Sequence, residues 1–237
     1  MIGVVPSILS RSSGLVELSI RNTEATHYRI SAHNTLNGAH TGATALFTVQ
    51  KGGSFRSATL RQKGLGLNMD SNRGLTRIAF DISDFNDAGG GAAGPTVPLD
   101  EQIIYLRVEE SMDEGATWLD PGPTLVIPPP EFYRSPNPAL VLSGTAPNIA
   151  ATIGQPIPAG ALHIVFPKFT MDITVRNHGT AGAAAGDMWY SIGHHHPAGR
   201  IEADDWWFGA ASYREILLSG NGAASDFSIN LGVASVK

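Results

Sequence analysis

Apolar and polar residues alternate along much of the chain, and this period of two is typical of β-strands with one buried face. In 15–21, for example, Val16, Leu18 and Ile20 alternate with charged and hydroxyl residues. Further alternating runs lie at 27–31, 45–50, 54–60, 75–82, 103–109, 124–127, 162–166, 171–176, 188–192, 213–218 and 227–233. Glycine and proline separate most of these runs, so the pattern predicts short strands joined by turns and an all-β fold.

The breaks in this pattern divide the chain into four segments. Residues 1–13 form an extended N-terminal arm that is apolar but interrupted by Pro6. Residues 14–130 form a first β-sandwich module, and 161–237 form a second one. The proline-rich segment 131–160 shows little periodicity and is expected to be a linker that crosses between them. Both modules are expected to be jelly-roll-like.

The two modules share short sequence matches in the same order, which suggests an internal duplication. A duplication predicts one strand order in both halves. Chance similarity is the alternative, because β-strands draw on few residue types. The matched segments are 18–22 with 173–177, 28–33 with 190–195, and 54–60 with 212–218.

The composition of the 237-residue chain excludes several classes of protein. Charged residues make up only 16%, while 27 glycines and 15 prolines favour turns over long helices. The absence of cysteine excludes disulfides, thiolate metal sites and a cysteine nucleophile. The formal net charge is −5 and no basic run occurs, so no nucleic-acid partner is expected. No apolar stretch is long enough to cross a membrane, so no membrane partner is expected.

Residues 111–118 (SMDEGATW) match the Asp-box pattern S-x-D-x-G-x-T-W without a mismatch. The pattern describes a hairpin turn. In it the aspartate accepts backbone N–H bonds, the glycine adopts a positive φ, and the tryptophan packs over the loop. The residues expected to build this structural turn are Ser111, Asp113, Gly115, Thr117 and Trp118.

Three consecutive histidines, 194–196, provide a weak candidate for a metal site. On a strand, His194 and His196 would point to the same face, where Asp204 or Asp205 could complete a ligand set. The triplet lies between glycine and proline, so a solvated turn is the preferred interpretation and no cofactor is expected. The chain also lacks a nucleophile elbow, a phosphate-binding loop and a zinc-protease motif, so we do not expect an enzyme.

Trp206, Trp207 and Phe208 follow one another directly, so they cannot all point into one face of a sheet. At least one should lie at a surface or interface, and we expect an inter-subunit or inter-sheet contact. A platform that stacks sugars is the alternative.

The arm is the second candidate interface. Its apolar side chains have no obvious partner strand nearby, because Pro6 interrupts them. We therefore expect the arm to dock on another chain by adding to a sheet edge, while packing on its own module is the alternative. The apolar residues concerned are Ile2, Val4, Val5, Ile8 and Leu9.

The Asp-box hairpin, the proline-rich crossing PGPTLVIPPPEF and the second-module strand ITVRN together resemble the virion structural proteins of tailed bacteriophages. Within that group the chain looks most like a head decoration, or cement, protein. The resemblance implies a non-enzymatic protein of the virion. Such a protein clamps major capsid or other virion subunits and forms a homo-oligomer, with a trimer favoured. Other interpretations are a tail or baseplate component, a carbohydrate-binding β-sandwich module, and a metal-dependent hydrolase that uses His194 and His196.

Overall fold

The computed structural model divides the chain into two compact units, unit 1 at Met1–Pro130 and unit 2 at Glu131–Lys237. The boundary coincides with the predicted end of the first module. Well over a third of the residues lie in β-strands, so the predicted all-β architecture is confirmed. In the part of the chain that the structure describes, no helix is long and apolar enough to cross a membrane. The described residues are 3–10, 15–33, 35–36, 45–56, 74–81, 84, 103–119, 122–129, 139–180, 186–192 and 198–233.

Unit 1 contains two sheets. The first has the strand order β1-β2-β6-β5, and the second has the order β8-β7-β3-β4. Neighbouring strands are antiparallel, except that β5 runs parallel to β6. The strands are β1 (Gly3–Ser10), β2 (Leu15–Arg21), β3 (His27–His33), β4 (Ala45–Gln50), β5 (Ser54–Arg56), β6 (Leu75–Asp81), β7 (Ile104–Ser111) and β8 (Thr124–Ile127).

The alternation in β2 places one face of the first sheet in the core. Val16, Leu18 and Ile20 are fully buried, and Phe80 of β6 is buried beside them. The ring of Phe80 lies 5.3 Å from the ring of Phe47, which belongs to β4 of the second sheet. The two sheets of unit 1 therefore meet through aromatic side chains in a shared core.

The expectation that the N-terminal arm lacks a partner strand is wrong. Residues 3–10 form β1, which pairs antiparallel with β2 of the same chain, and Pro6 lies opposite Leu18. A proline is tolerated here because β1 has one neighbour among the described strands, so its outer edge needs no ladder hydrogen bond. Ile2 lies outside the described residues.

Unit 2 has the strand order β12-β11-β13-β10-β14-β9, with every pair antiparallel. The strands β10 and β13 are long and pair along most of their length, but their register shifts between Val165 and Thr170. The two runs predicted at 162–166 and 171–176 are therefore one strand. The strands are β9 (Ala139–Ala146), β10 (Leu162–Asn177), β11 (Met188–Ser191), β12 (Gly199–Ile201), β13 (Trp206–Gly220) and β14 (Ser225–Val233).

The segment 131–160 is not only a linker, because it contributes β9 to unit 2. This strand pairs with β14 over its whole length, and Leu140 and Leu142 are buried between exposed neighbours. Further along, Ile157 packs with Trp189 and Leu217 in a buried cluster. The prolines that suggested a linker lie before or after β9 in the sequence, and none lies within the strand itself.

The strand pairing does not repeat between the halves. In both halves the first matched strand pairs with the strand that ends its half, as β2 does with β6 and β10 with β14. However, β11 pairs with β13, whereas both edges of its counterpart β3 are occupied by β4 and β7. In addition, β5 pairs in parallel with β6, whereas its counterpart β13 pairs antiparallel with β10 and β11. The expectation of one strand order in both halves is therefore wrong.

Candidate interaction surface

Two large aromatic side chains lie on an open face of the unit 2 sheet. Trp206 and Phe208 are two residues apart on β13, so both project from the same face. Their exposed fractions are 61% and 51%, and Val141 on β9, at 62%, belongs to the same face. We call this surface the aromatic face and define it by Trp206, Phe208, Thr174, Arg176, Ser228 and Asn230.

The register explains why these residues are neighbours. Arg176 of β10 lies between Trp206 and Ser228 on the adjacent strands. One row further, Thr174 lies between Phe208 and Asn230 in the same way. Adjacent strands are about 4.8 Å apart, so side chains within a row are in reach of one ligand.

The opposite face of the same strands is apolar and buried, and this directs the aromatic face outward. Ile173, Val175 and Ile229 are all fully buried. Because side chains alternate between the two faces, Thr174 and Arg176 must point away from this core. The sequence alternation therefore positions the aromatic face.

Carboxylates surround the aromatic face. The Arg176 guanidinium donates a hydrogen bond to Asp204 Oδ1 at 3.2 Å, and Asp205 Oδ1 accepts the backbone N–H of Trp206 at 2.8 Å. Asp226 Oδ1 accepts the hydroxyl of Thr145 at 2.6 Å. The surface therefore carries more negative than positive charge.

Trp207 does not belong to the aromatic face. It lies opposite Val175, whose side chain is in the core, and its ring centroid is 4.5 Å from that of Tyr190 on β11. The aromatic triplet is therefore split, as the alternation requires. Trp207 makes a contact within unit 2, while Trp206 and Phe208 are exposed.

The turn at 111–118 is held by a dense set of hydrogen bonds. Asp113 Oδ1 accepts the hydroxyl of Ser111 and the backbone N–H of Thr117, both at 2.8 Å, and Asp113 Oδ2 accepts the Thr117 hydroxyl at 2.6 Å. The Ser111 hydroxyl oxygen accepts the N–H of Gly115, whose φ is 92°. A Cβ on Gly115 would lie 3.5 Å from the Trp118 ring, so the tryptophan packs over the loop.

Hydrogen bonds to its charged form lower the pKa of Asp113 to about 2. The largest contribution comes from the Thr117 hydroxyl, followed by the Thr117 N–H. Asp113 is therefore ionised at neutral pH and serves as an acceptor within the turn.

A buried ionic network lies on the second sheet of unit 1. Glu109 of β7 forms ion pairs with Arg29 of β3 at 2.7 Å and with Arg107 at 3.2 Å. Arg107 and Glu109 are each only 4% exposed. The guanidinium of Arg29 also stacks on Trp118, at 4.6 Å from the ring, and so links the network to the turn.

The sequence reading missed this network because β7 alternates like a half-exposed strand, yet all eight of its residues are buried. Arg29 and Glu109 lie directly opposite each other on the β3–β7 ladder, but they are 80 residues apart in the sequence, so no local pattern indicates their pairing. Near the network, burial and the Arg107 charge lower the pKa of His33, and burial raises the pKa of Tyr105 to about 12.

The metal-site candidates His194 and His196 lie outside the described residues. Within the ranges that the structure describes, no group of three or more histidine, aspartate or glutamate side chains is arranged to hold a metal ion.

The chain matches no protein-family model, and no curated protein matches it.

Proposed function

We propose that the protein is a non-enzymatic structural protein of a tailed-bacteriophage virion, which decorates the capsid and clamps neighbouring subunits. The observation that carries the proposal is the presence of two compact units in one covalent chain. Once one unit is bound, the second is held near its own site at high effective concentration, which strengthens the attachment without new contacts.

Unit 1 offers a rigid docking element for such a clamp. The hydrogen-bonded turn and the residue that follows it carry two large exposed apolar side chains, Met112 at 49% and Leu119 at 51% exposed. A preorganised loop loses little conformational entropy when it binds, so apolar groups on it contribute efficiently to affinity. In this proposal each unit is a jelly-roll-like β-sandwich, and 111–118 is an Asp-box hairpin whose role is structural.

Strand addition at β1 is the second element of the proposal. Because β1 lies at the edge of its sheet among the described strands, a strand from another virion protein or another copy of the chain can pair with its outer edge. The predicted contact of Val4, Val5, Ile8 and Leu9 with another chain would then add to the pairing of β1 with β2.

The proposal is tested by separating phage heads from tails on density gradients of lysates from cells that carry the gene. The chain is then detected in each fraction with an antibody. We expect it in the head fraction. Its presence in the tail fraction would make it a tail or baseplate component, and its absence from both would overturn the virion assignment.

The role of the turn is tested with Met112→Ser and Leu119→Ser in the full chain. Both side chains are exposed, so we expect unchanged melting temperatures but weaker co-sedimentation with heads. Ala116→Ser, an exposed change in the same turn, is the matched control and should co-sediment normally. Equal co-sedimentation of all three variants would exclude this turn from the clamp.

A further inference from the structure

We propose that the aromatic face of unit 2 is a binding site for a neutral glycan, with Trp206 and Phe208 stacked against sugar rings. The inference goes beyond the clamp and does not rest on it. The two residues are separated by one position on β13, so their side chains leave the sheet about 7 Å apart. Both residues are more than half exposed on a surface formed by regular, paired strands.

The chemistry of the rings suits a sugar. The face of an aromatic ring carries partial negative charge, which attracts the weakly positive C–H groups on the flat side of a pyranose. Leaving Trp206 and Phe208 in water costs free energy that a ligand covering them would recover. A sugar covers a ring while its hydroxyls remain directed outward, toward the polar side chains beside the ring.

Those polar side chains lie in register with the rings. Arg176 is the strand neighbour of Trp206, and Thr174 is the neighbour of Phe208. One strand further, Ser228 and Asn230 continue the two rows. Guanidinium and amide groups donate hydrogen bonds, and hydroxyls both donate and accept, so the set complements a ligand made of hydroxyls.

The charge of the face argues against a nucleic acid or an anionic glycan. Binding of single strands combines aromatic stacking with a positively charged groove. Here the cation nearest the rings, Arg176, is already bonded to Asp204. Two further carboxylates, Asp172 and Asp226, occupy outward positions on β10 and β14. Phosphate or sulfate groups would be repelled.

The composition of the face argues against a protein partner at this position. Interface cores are enriched in aromatic residues but depleted in serine and aspartate. Apart from Val141, the outward positions that the register places in the two ring rows on β10, β14 and β9 are polar: Thr174, Arg176, Ser228, Asn230 and Ser143. An apolar protein surface would displace the water at the remaining donors and acceptors of these groups without replacing its hydrogen bonds, at a cost that a polyhydroxylated ligand avoids.

The test is a titration of the full-length protein with neutral trisaccharides of glucose, mannose, galactose and N-acetylglucosamine, alongside sialylated and sulfated oligosaccharides. Binding is followed by calorimetry. We expect at least one neutral trisaccharide to bind and the anionic ones not to bind. Trp206→Ala and Phe208→Ala should each weaken binding about tenfold or more.

Ile153→Ala is the matched control, because Ile153 is a large apolar residue of unit 2 that is 62% exposed and lies outside the aromatic face. It should bind like the parent protein. Melting curves verify that each variant is folded, and Asn230→Ala provides a second probe of the face if an aromatic variant unfolds.

Three results would overturn the proposal. The first is that no neutral trisaccharide binds, and the second is that only anionic glycans bind. The third is that binding is unaffected by Trp206→Ala, Phe208→Ala and Asn230→Ala.

If sedimentation instead detects self-association that Trp206→Ala abolishes, with no sugar bound, the face is an interface between copies of the chain. Recovery of the protein in phage heads tests the clamp separately.

Discussion

Asp113 and Thr117 are joined by two hydrogen bonds within one turn, since one carboxylate oxygen accepts the Thr117 N–H and the other accepts its hydroxyl. These bonds favour the ionised carboxylate and lower the pKa of Asp113 to about 2. The unfolded chain would titrate near its ordinary value of about 3.9. The turn therefore couples folding to the protonation of one exposed side chain.

Replacing Asp113 with alanine should lower the melting temperature at neutral pH, because the N–H and hydroxyl of Thr117 lose their acceptor. The effect should depend on pH. A carboxyl group with a lowered folded-state pKa contributes stability above about pH 4 and loses it as the pH falls toward 2. The difference in melting temperature between parent and variant should therefore shrink across that interval. Glu24→Ala, at an exposed carboxylate of unit 1, is the control, and a difference that stays constant with pH would contradict the assignment.

Ile229→Ala should destabilise unit 2 by about 2–5 kcal/mol, because the fully buried side chain would leave a cavity. The adjacent residue provides the matched control. Asn230 is exposed on the opposite face, so Asn230→Ala should change the free energy of unfolding by less than about 0.5 kcal/mol. Chemical denaturation measures both. Similar losses in the two variants would show that β14 does not alternate as described.

Glu109→Ala should destabilise unit 1 by about 3–5 kcal/mol, because it removes the common partner of Arg29 and Arg107 within a buried network. Glu109→Gln, which keeps the length of the side chain and one acceptor oxygen, should cost less than Glu109→Ala but still destabilise unit 1, since the charge is missing. Denaturant titrations of the two variants measure the effect. A loss below about 1 kcal/mol, typical of exposed ion pairs, would mean that water reaches the network.

Deleting residues 1–13 should lower the melting temperature of unit 1. The pairing of β1 with β2 would be lost, and the backbone of β2 would be exposed as a new sheet edge. Thermal melts of the truncated and complete chains provide the comparison. An unchanged melt combined with lost attachment to phage heads would instead mean that residues 1–13 serve only another chain.

Much of the fold could be predicted from the chain alone, because a period-two pattern follows directly from strand geometry. Both β2 and β4 lie where the alternation placed them, and the turn at 111–118 forms from residues close together in sequence. Local geometry also required Trp206, Trp207 and Phe208 to divide between two faces. Such features depend on near neighbours, and near neighbours are visible in the sequence.

The remaining features depend on strands that are distant along the chain. The strand β1 forms because it pairs with the edge of β2, and β9 forms because it pairs with the edge of β14. Neither strand was predicted from the sequence, since a proline lies within β1 and several prolines lie on either side of β9. The ion pair between the half-buried Arg29 and the buried Glu109 exists because β3 and β7 adjoin, although 80 positions separate the two residues. Likewise, Trp206 and Phe208 form a surface with Ser228 and Asn230 because β10 lies between β13 and β14. Alternation along a strand specifies which residues share a face, whereas hydrogen bonding between strands specifies which faces become one surface.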